Sequence, residues 1–215
     1  MMAACRGETP RVDGVPATPA PAQRDATLTW LLGPTPAQDF LHATDSHDAL
    51  VARLGAAIVV RDSVDVGEGM KEFGTIVYPA DSTRRLEILW ADTARFRTPK
   101  NVFVSGARST WRVYPGVGIG TGLATVDSLN GRAFVLAGFG WDYSGTVYSY
   151  EGGRLDSLWG TRPGRHVMLR LAPDSVPDAL MPQYNQVMGD SEYRSDLPAM
   201  RAVRPRVYQI IVGPR

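Results

Sequence analysis

Glycine and proline interrupt this chain so often that no long, uniform element fits into it. There are 22 glycines and 16 prolines in 215 residues, and turn residues close each short apolar run. Strands separated by so few residues cannot be parallel neighbours, because a parallel pair needs a crossover of about a dozen residues or more. The pattern therefore predicts an α+β protein: hairpins and meanders of antiparallel strand, one face covered by short helices.

Individual elements follow from local signals. Ser46 is placed to cap a helix running to Leu54, with Gly55 ending it. Strands are expected over 56–60, 74–78, 85–90 and 102–104, with 62–72 a polar connection and 79–82 a turn. Leu86, Ile88 and Trp90 alternate and would share one face. A second helix is expected over 123–129, stopped at Asn130 and Gly131, followed by strands over 134–136, 145–148 and 166–169. The segment 172–196 reads as loop, 197–203 as a helical turn and 207–212 as the final strand.

The order of these signals repeats. Arg85-Leu86-Glu87-Ile88-Leu89-Trp90 returns as Arg154-Leu155-Asp156-Ser157-Leu158-Trp159, and the flanking matches keep the same sequence. The expectation is a tandem repeat of a short helix packed on an antiparallel sheet, after a disordered N-terminal tail. The modules would span 27–113 and 114–215, behind a tether over 1–26.

Gly120-Thr121-Gly122-Leu123-Ala124-Thr125-Val126-Asp127-Ser128-Leu129-Asn130-Gly131 resembles the opening of the helix-plus-sheet module in SmpA/OmlA-type envelope lipoproteins and in tandem β-lactamase-inhibitor-like proteins. It departs from that pattern at Asn130, which lengthens the Leu-Gly step, and at Ala133, where proline is usual. The string Gly138-Phe139-Gly140-Trp141-Asp142-Tyr143-Ser144-Gly145 is similar to strings in envelope lipoproteins of environmental bacteria. Both resemblances imply a fold and a compartment, and no activity.

Charge adds an exclusion. The 23 basic and 22 acidic residues leave a formal +1, so no single-sign field marks a nucleic-acid partner. No apolar run is long enough to cross a bilayer. Cys5 is the only cysteine, which rules out an internal disulfide or a Cys-based zinc cage. Met2-Ala3-Ala4-Cys5 resembles the end of a bacterial lipoprotein signal peptide, and a Pro- and Ala-rich tether follows it. Membrane attachment is thus expected only through a lipid on Cys5, facing the periplasm or exterior; the alternative is a soluble protein whose frayed tail carries an incidental cysteine.

Motifs for chemistry are sparse. His42, Asp45, His47 and Asp48 are better suited to a solvated helix start than to a metal site. Gly116, Gly118, Gly120 and Gly122 lack the Lys-Ser/Thr ending of a phosphate loop, and no motif calls for a cofactor. Trp141, Asp142 and Tyr143 form the candidate ligand-binding group, two rings beside a carboxylate. As plain structure, Trp141 and Tyr143 would share a strand face under the helix. The leading expectation is a non-catalytic envelope lipoprotein that binds another envelope protein or a cell-wall component. The alternative is a periplasmic hydrolase using carboxylates such as Asp142 and Glu151.

Overall fold

The computed structural model describes residues 30–33, 35–160 and 166–213. The tail over 1–26 with Cys5, and the first residues of the apolar patch at 27–32, lie outside them.

In chain order, β1 (Trp30–Leu32) precedes α1 (His47–Leu54), and a meander follows of β2 (Val59–Gly67), β3 (Met70–Val77), β4 (Leu86–Asp92) and β5 (Arg97–Ser105). Next come the small strands β6 (Arg112–Val113) and β7 (Val117–Gly118), α2 (Leu123–Asn130), β8 (Val135–Ala137), β9 (Val147–Ser149) and α3 (Arg154–Gly160). The chain closes with β10 (His166–Ala172), α4 (Met181–Asn185), β11 (Glu192–Arg194), α5 (Pro198–Ala202) and β12 (Arg206–Gly213). The main sheet has six strands in the order β10-β12-β5-β4-β3-β2, every neighbour antiparallel. Two three-stranded sheets, β1-β6-β7 and β11-β8-β9, flank it, and β1 with β6 pairs in parallel. The α+β class and the predominance of antiparallel pairing hold.

One apolar cluster lies beneath the helix side of the main sheet. Leu50 of α1, Val126 of α2, and Leu155 and Trp159 of α3 join Leu86, Ile88 and Trp90 of β4 and Val102 and Val104 of β5. Leu169 of β10 and Ile210 of β12 belong to the same cluster, so it draws on both sides of residue 113. The α1 start is built as its sequence directs: the Ser46 hydroxyl accepts from the Ala49 N–H at 3.1 Å, and the Gly55 N–H bonds the Val51 carbonyl.

Three expectations need correction. The polar stretch 62–72 is not a connection but the tip of the β2–β3 hairpin, turned through Glu68 and Gly69, both with positive φ. Its polar composition suits an edge hairpin whose outer residues face water. The 172–196 segment carries α4 and β11 rather than loop alone. The third correction concerns the repeat: its strongest match folds two ways, as strand β4 in the first copy and helix α3 in the second. The fourth residue decides this. Ile88 completes a period-2 face with Leu86 and Trp90, whereas Ser157 breaks that face and leaves Leu155 and Trp159 one helical turn apart, both buried.

Candidate functional site

The second face of the main sheet is not bare. Met168 of β10 stands opposite Ile211 of β12, which stands opposite Phe103 of β5. These three half-buried apolar side chains form a row across neighbouring strands on the face away from the main cluster. They line a cavity of about 410 Å³ together with residues from every strand of the sheet. Val66 and Glu72 from the β2–β3 hairpin face the same space as His166 and Arg170 from β10.

That sharing means the sheet is curled. Laid flat, six strands at a spacing of about 4.8 Å would hold their edges about 24 Å apart. Instead a single tyrosine spans the gap. The Arg170 guanidinium lies 5.6 Å from the centre of the Tyr143 ring, and the Tyr143 hydroxyl donates to Glu68 in the hairpin turn at 3.0 Å. The open face is therefore a trough, with Tyr143 crossing its mouth.

Tyr143 is carried by the turn 141–145, which docks on the edge of β10. The Leu171 N–H bonds the Gly145 carbonyl at 2.9 Å, and any side chain at position 145 would collide with the Leu171 carbonyl. Tyr208 ties the same turn down by donating to the Ser144 carbonyl at 3.1 Å. Tyr143 and Tyr148 are 44% and 47% exposed and wall the trough. The hydrogen bond to Glu68, followed by the nearby charge, holds the Tyr143 phenol above its ordinary range.

The three residues singled out from the sequence part company here. They lie in a turn, not on a strand face under a helix. Trp141 is half-buried, meets the Tyr143 ring edge-on at 5.4 Å and donates from Nε1 to the Gly138 carbonyl at 3.0 Å. Asp142 stands in solvent, and only Tyr143 of the three lines the trough. Glu151 accepts from the Ser149 hydroxyl at 2.7 Å and, like Asp142, is not part of the trough lining.

Two polar atoms in the trough have no hydrogen-bond partner although both are buried: Thr146 Oγ1 and Arg170 Nε. Their residues face each other across an isolated antiparallel bridge, and both line the cavity. Buried polar atoms are almost always bonded; of the four such unpartnered atoms among the described residues, these two are donors and share one cavity, while Asp127 Oδ2 and Gln183 Oε1 lie outside it. At the opposite corner, Gly213 sits across from His166. A side chain at position 213 would come within 2.7 Å of Asn101 Oδ1, so glycine keeps this corner of the floor open.

His47 departs from the solvated start expected of it. It is 8% exposed, and its Nδ1 lies 2.9 Å from the Thr75 hydroxyl, which also accepts from Trp90 Nε1 at 2.9 Å. Burial, then the Arg61 charge, lowers its pKa. Asp45 is engaged by Arg53 at 3.5 Å, and among the described residues no cluster of three or more His, Cys, Asp or Glu is set to hold a metal.

The site residues missed in the sequence (Phe103, Thr146, Met168, Arg170 and Ile211) are scattered over more than a hundred positions and form no motif. A signal was present nonetheless. Strands β10 and β12 carry apolar residues on both faces, Met168 between Val167 and Leu169 and Ile211 between Ile210 and Val212, which marks a second face that is not simply solvated.

The fold and this trough define an α+β protein with a curled antiparallel sheet and a ligand-sized hollow on its open face. No family model matches the chain, and no curated protein or solved structure matches it either. Among the described residues no helix is long and apolar enough to cross a membrane.

Proposed function

We propose that this chain is a non-catalytic binding protein of the cell envelope. It holds a protein or cell-wall partner in the trough and is tethered by a lipid on Cys5. The observation that carries the reading is the trough itself: an apolar row floored by Phe103, Met168 and Ile211, walled by two half-exposed tyrosines, at about 410 Å³. That volume lies within the range of ordinary ligand pockets, about 300–1,000 Å³. The envelope assignment rests on the Met2-Ala3-Ala4-Cys5 string and on the resemblance of 120–131 to envelope modules.

Two experiments test it. Purified protein is mixed with isolated cell-wall sacculi and with solubilised envelope protein, alongside Met168→Arg, which places a charge on the trough floor. Retention of the wild type with loss in the variant supports the reading. Equal retention of both moves the site elsewhere, and no retention of either removes the partner. Separately, the chain expressed behind its native upstream sequence should take up a lipid label that disappears in Cys5→Ser. Label persisting in that variant overturns the anchor.

A further inference from the structure

The trough's polar end shows what kind of group it takes. We propose that the moiety it recognises is a small amphipathic acid, its anionic oxygens between Thr146 and Arg170 and its apolar body along Met168, Ile211 and Phe103. This rests on the trough being the binding site and specifies its ligand.

The Thr146 hydroxyl is buried, its residue only 3% exposed, and unpartnered, and Arg170 Nε is buried and unpartnered beside it. A hydroxyl and a guanidinium N–H are both donors, and together they match the oxygens of one oxyanion. The Tyr143 ring 5.6 Å from the guanidinium helps fix its plane. Among the described residues neither Arg170 nor Lys100, the other cation of the lining, forms an ion pair.

Charge sets the sign at this end. Arg170 and Lys100 are the cations of the lining and Glu72 is its carboxylate, while Glu68 is occupied by the Tyr143 hydroxyl at the mouth, so the free donors at Thr146 and Arg170 favour an anionic group. The floor sets the rest of the ligand. Phe103, Met168 and Ile211 offer dispersion contact and no hydrogen bond, which suits an apolar body on the ligand. Met168 adapts to its shape.

The test uses two fluorescent probes with the same ring system, anilinonaphthalene sulfonate and its uncharged counterpart phenylnaphthylamine, titrated against the full chain. Each variant is first melted by circular dichroism, and binding is read well below its transition. The sulfonate should bind saturably with one-to-one stoichiometry. Arg170→Met should weaken it about tenfold, the ordinary loss for a charge-assisted bond, and leave phenylnaphthylamine unchanged. Thr146→Val, nearly the same shape, should weaken the sulfonate several-fold and also spare the amine. Met168→Arg should abolish phenylnaphthylamine binding. If both probes bind the wild type equally, and Arg170→Met and Thr146→Val alter neither, the acid is wrong while the trough stands. If Met168→Arg leaves both unchanged, or neither probe binds the wild type, the trough is wrong as well.

Discussion

Thr75 holds together two side chains that sequence reading would never pair. Its hydroxyl meets His47 Nδ1 and Trp90 Nε1, both at 2.9 Å, in the floor of the helix-side core. An indole N–H can only donate, so the threonine proton is free to go to His47, which accepts only when neutral. Burial and the Arg61 charge favour that same neutral form and lower its pKa from the ordinary 6.5. The sign follows by linkage: the unfolded chain binds this proton more readily than the folded one. The stability held in neutral His47 is complete above 6.5 and is lost as pH falls below it. The melting temperature of the wild type should therefore decline between about pH 7 and 5, whereas His47→Asn, whose amide reaches the same hydroxyl, should be flatter. Equal slopes would remove His47 from the account. Three of the five tryptophans, Trp90, Trp141 and Trp159, sort by burial in the same way. Trp90→Ala and Trp159→Ala should each cost about 3–5 kcal/mol. Trp141→Ala should cost about 1–2 kcal/mol, for a half-buried ring and one hydrogen bond. Chemical melts of the three variants check this, and a Trp141→Ala loss as large as the others would make the 141–145 turn a core element.

At the scale of elements, helix α3 depends on a residue that belongs to another helix. Asn130, the last residue of α2, is 2% exposed. Its Oδ1 accepts from the Leu155 N–H at 3.1 Å, while its Nδ2 donates to the Arg132 and Tyr150 carbonyls, each at 2.9 Å. One amide thus caps α3 and closes the loop that leads to it. Asn130→Ala should cost about 2–4 kcal/mol, as a lost cap plus two orphaned buried carbonyls. Amide exchange should speed up in α3 before it does in β4 or β5, and uniform acceleration everywhere would argue against a local cap. The contrast with the α1 cap explains what was legible. Ser46 and Gly55 act within one turn, so local sequence suffices to find them. Asn130 acts across 25 residues, and its departure from the family-like pattern at 120–131 was the only trace it left. The hexapeptide match misled for the same reason: its spacing serves a strand or a helix, and only the core partner of the fourth residue chooses. Tyr143 drew notice because an aromatic among glycines stands out. Thr146 and Arg170 did not, because each matters through a single buried donor left without a partner, Thr146 Oγ1 and Arg170 Nε, and no residue type announces that.

At the scale of the molecule, the question is whether the chain unfolds in one step or in two. A boundary at 113/114 would cut between β5 and β12, whose pairing runs from Gln209 opposite Ser105 to Val212 opposite Val102 in the middle of the six-stranded sheet. The first part would keep β2 to β5 with β5 newly exposed as an edge, its Val102 and Val104 stripped of Ile210 and Val212. The second would keep only the β10–β12 pair from that sheet, and a two-stranded ribbon is marginal by itself. The loss extends beyond the strands. The Leu123 N–H bonds the Pro205 carbonyl within the second part, but β7 would leave β6, and the Tyr114 N–H would lose the Leu32 carbonyl, 2.8 Å away across the cut. Each part would also expose half of a single apolar cluster, and burial at about 25 cal/mol per Å² is the main term available to offset chain entropy. The whole chain should therefore melt in a single calorimetric transition whose van't Hoff and calorimetric enthalpies agree. Expressed separately, 27–113 and 114–215 should show no cooperative melt alone. A sharp transition from either fragment, or two resolved transitions from the intact chain, would mean that the halves are autonomous modules and that the shared sheet is a docking of two folded units.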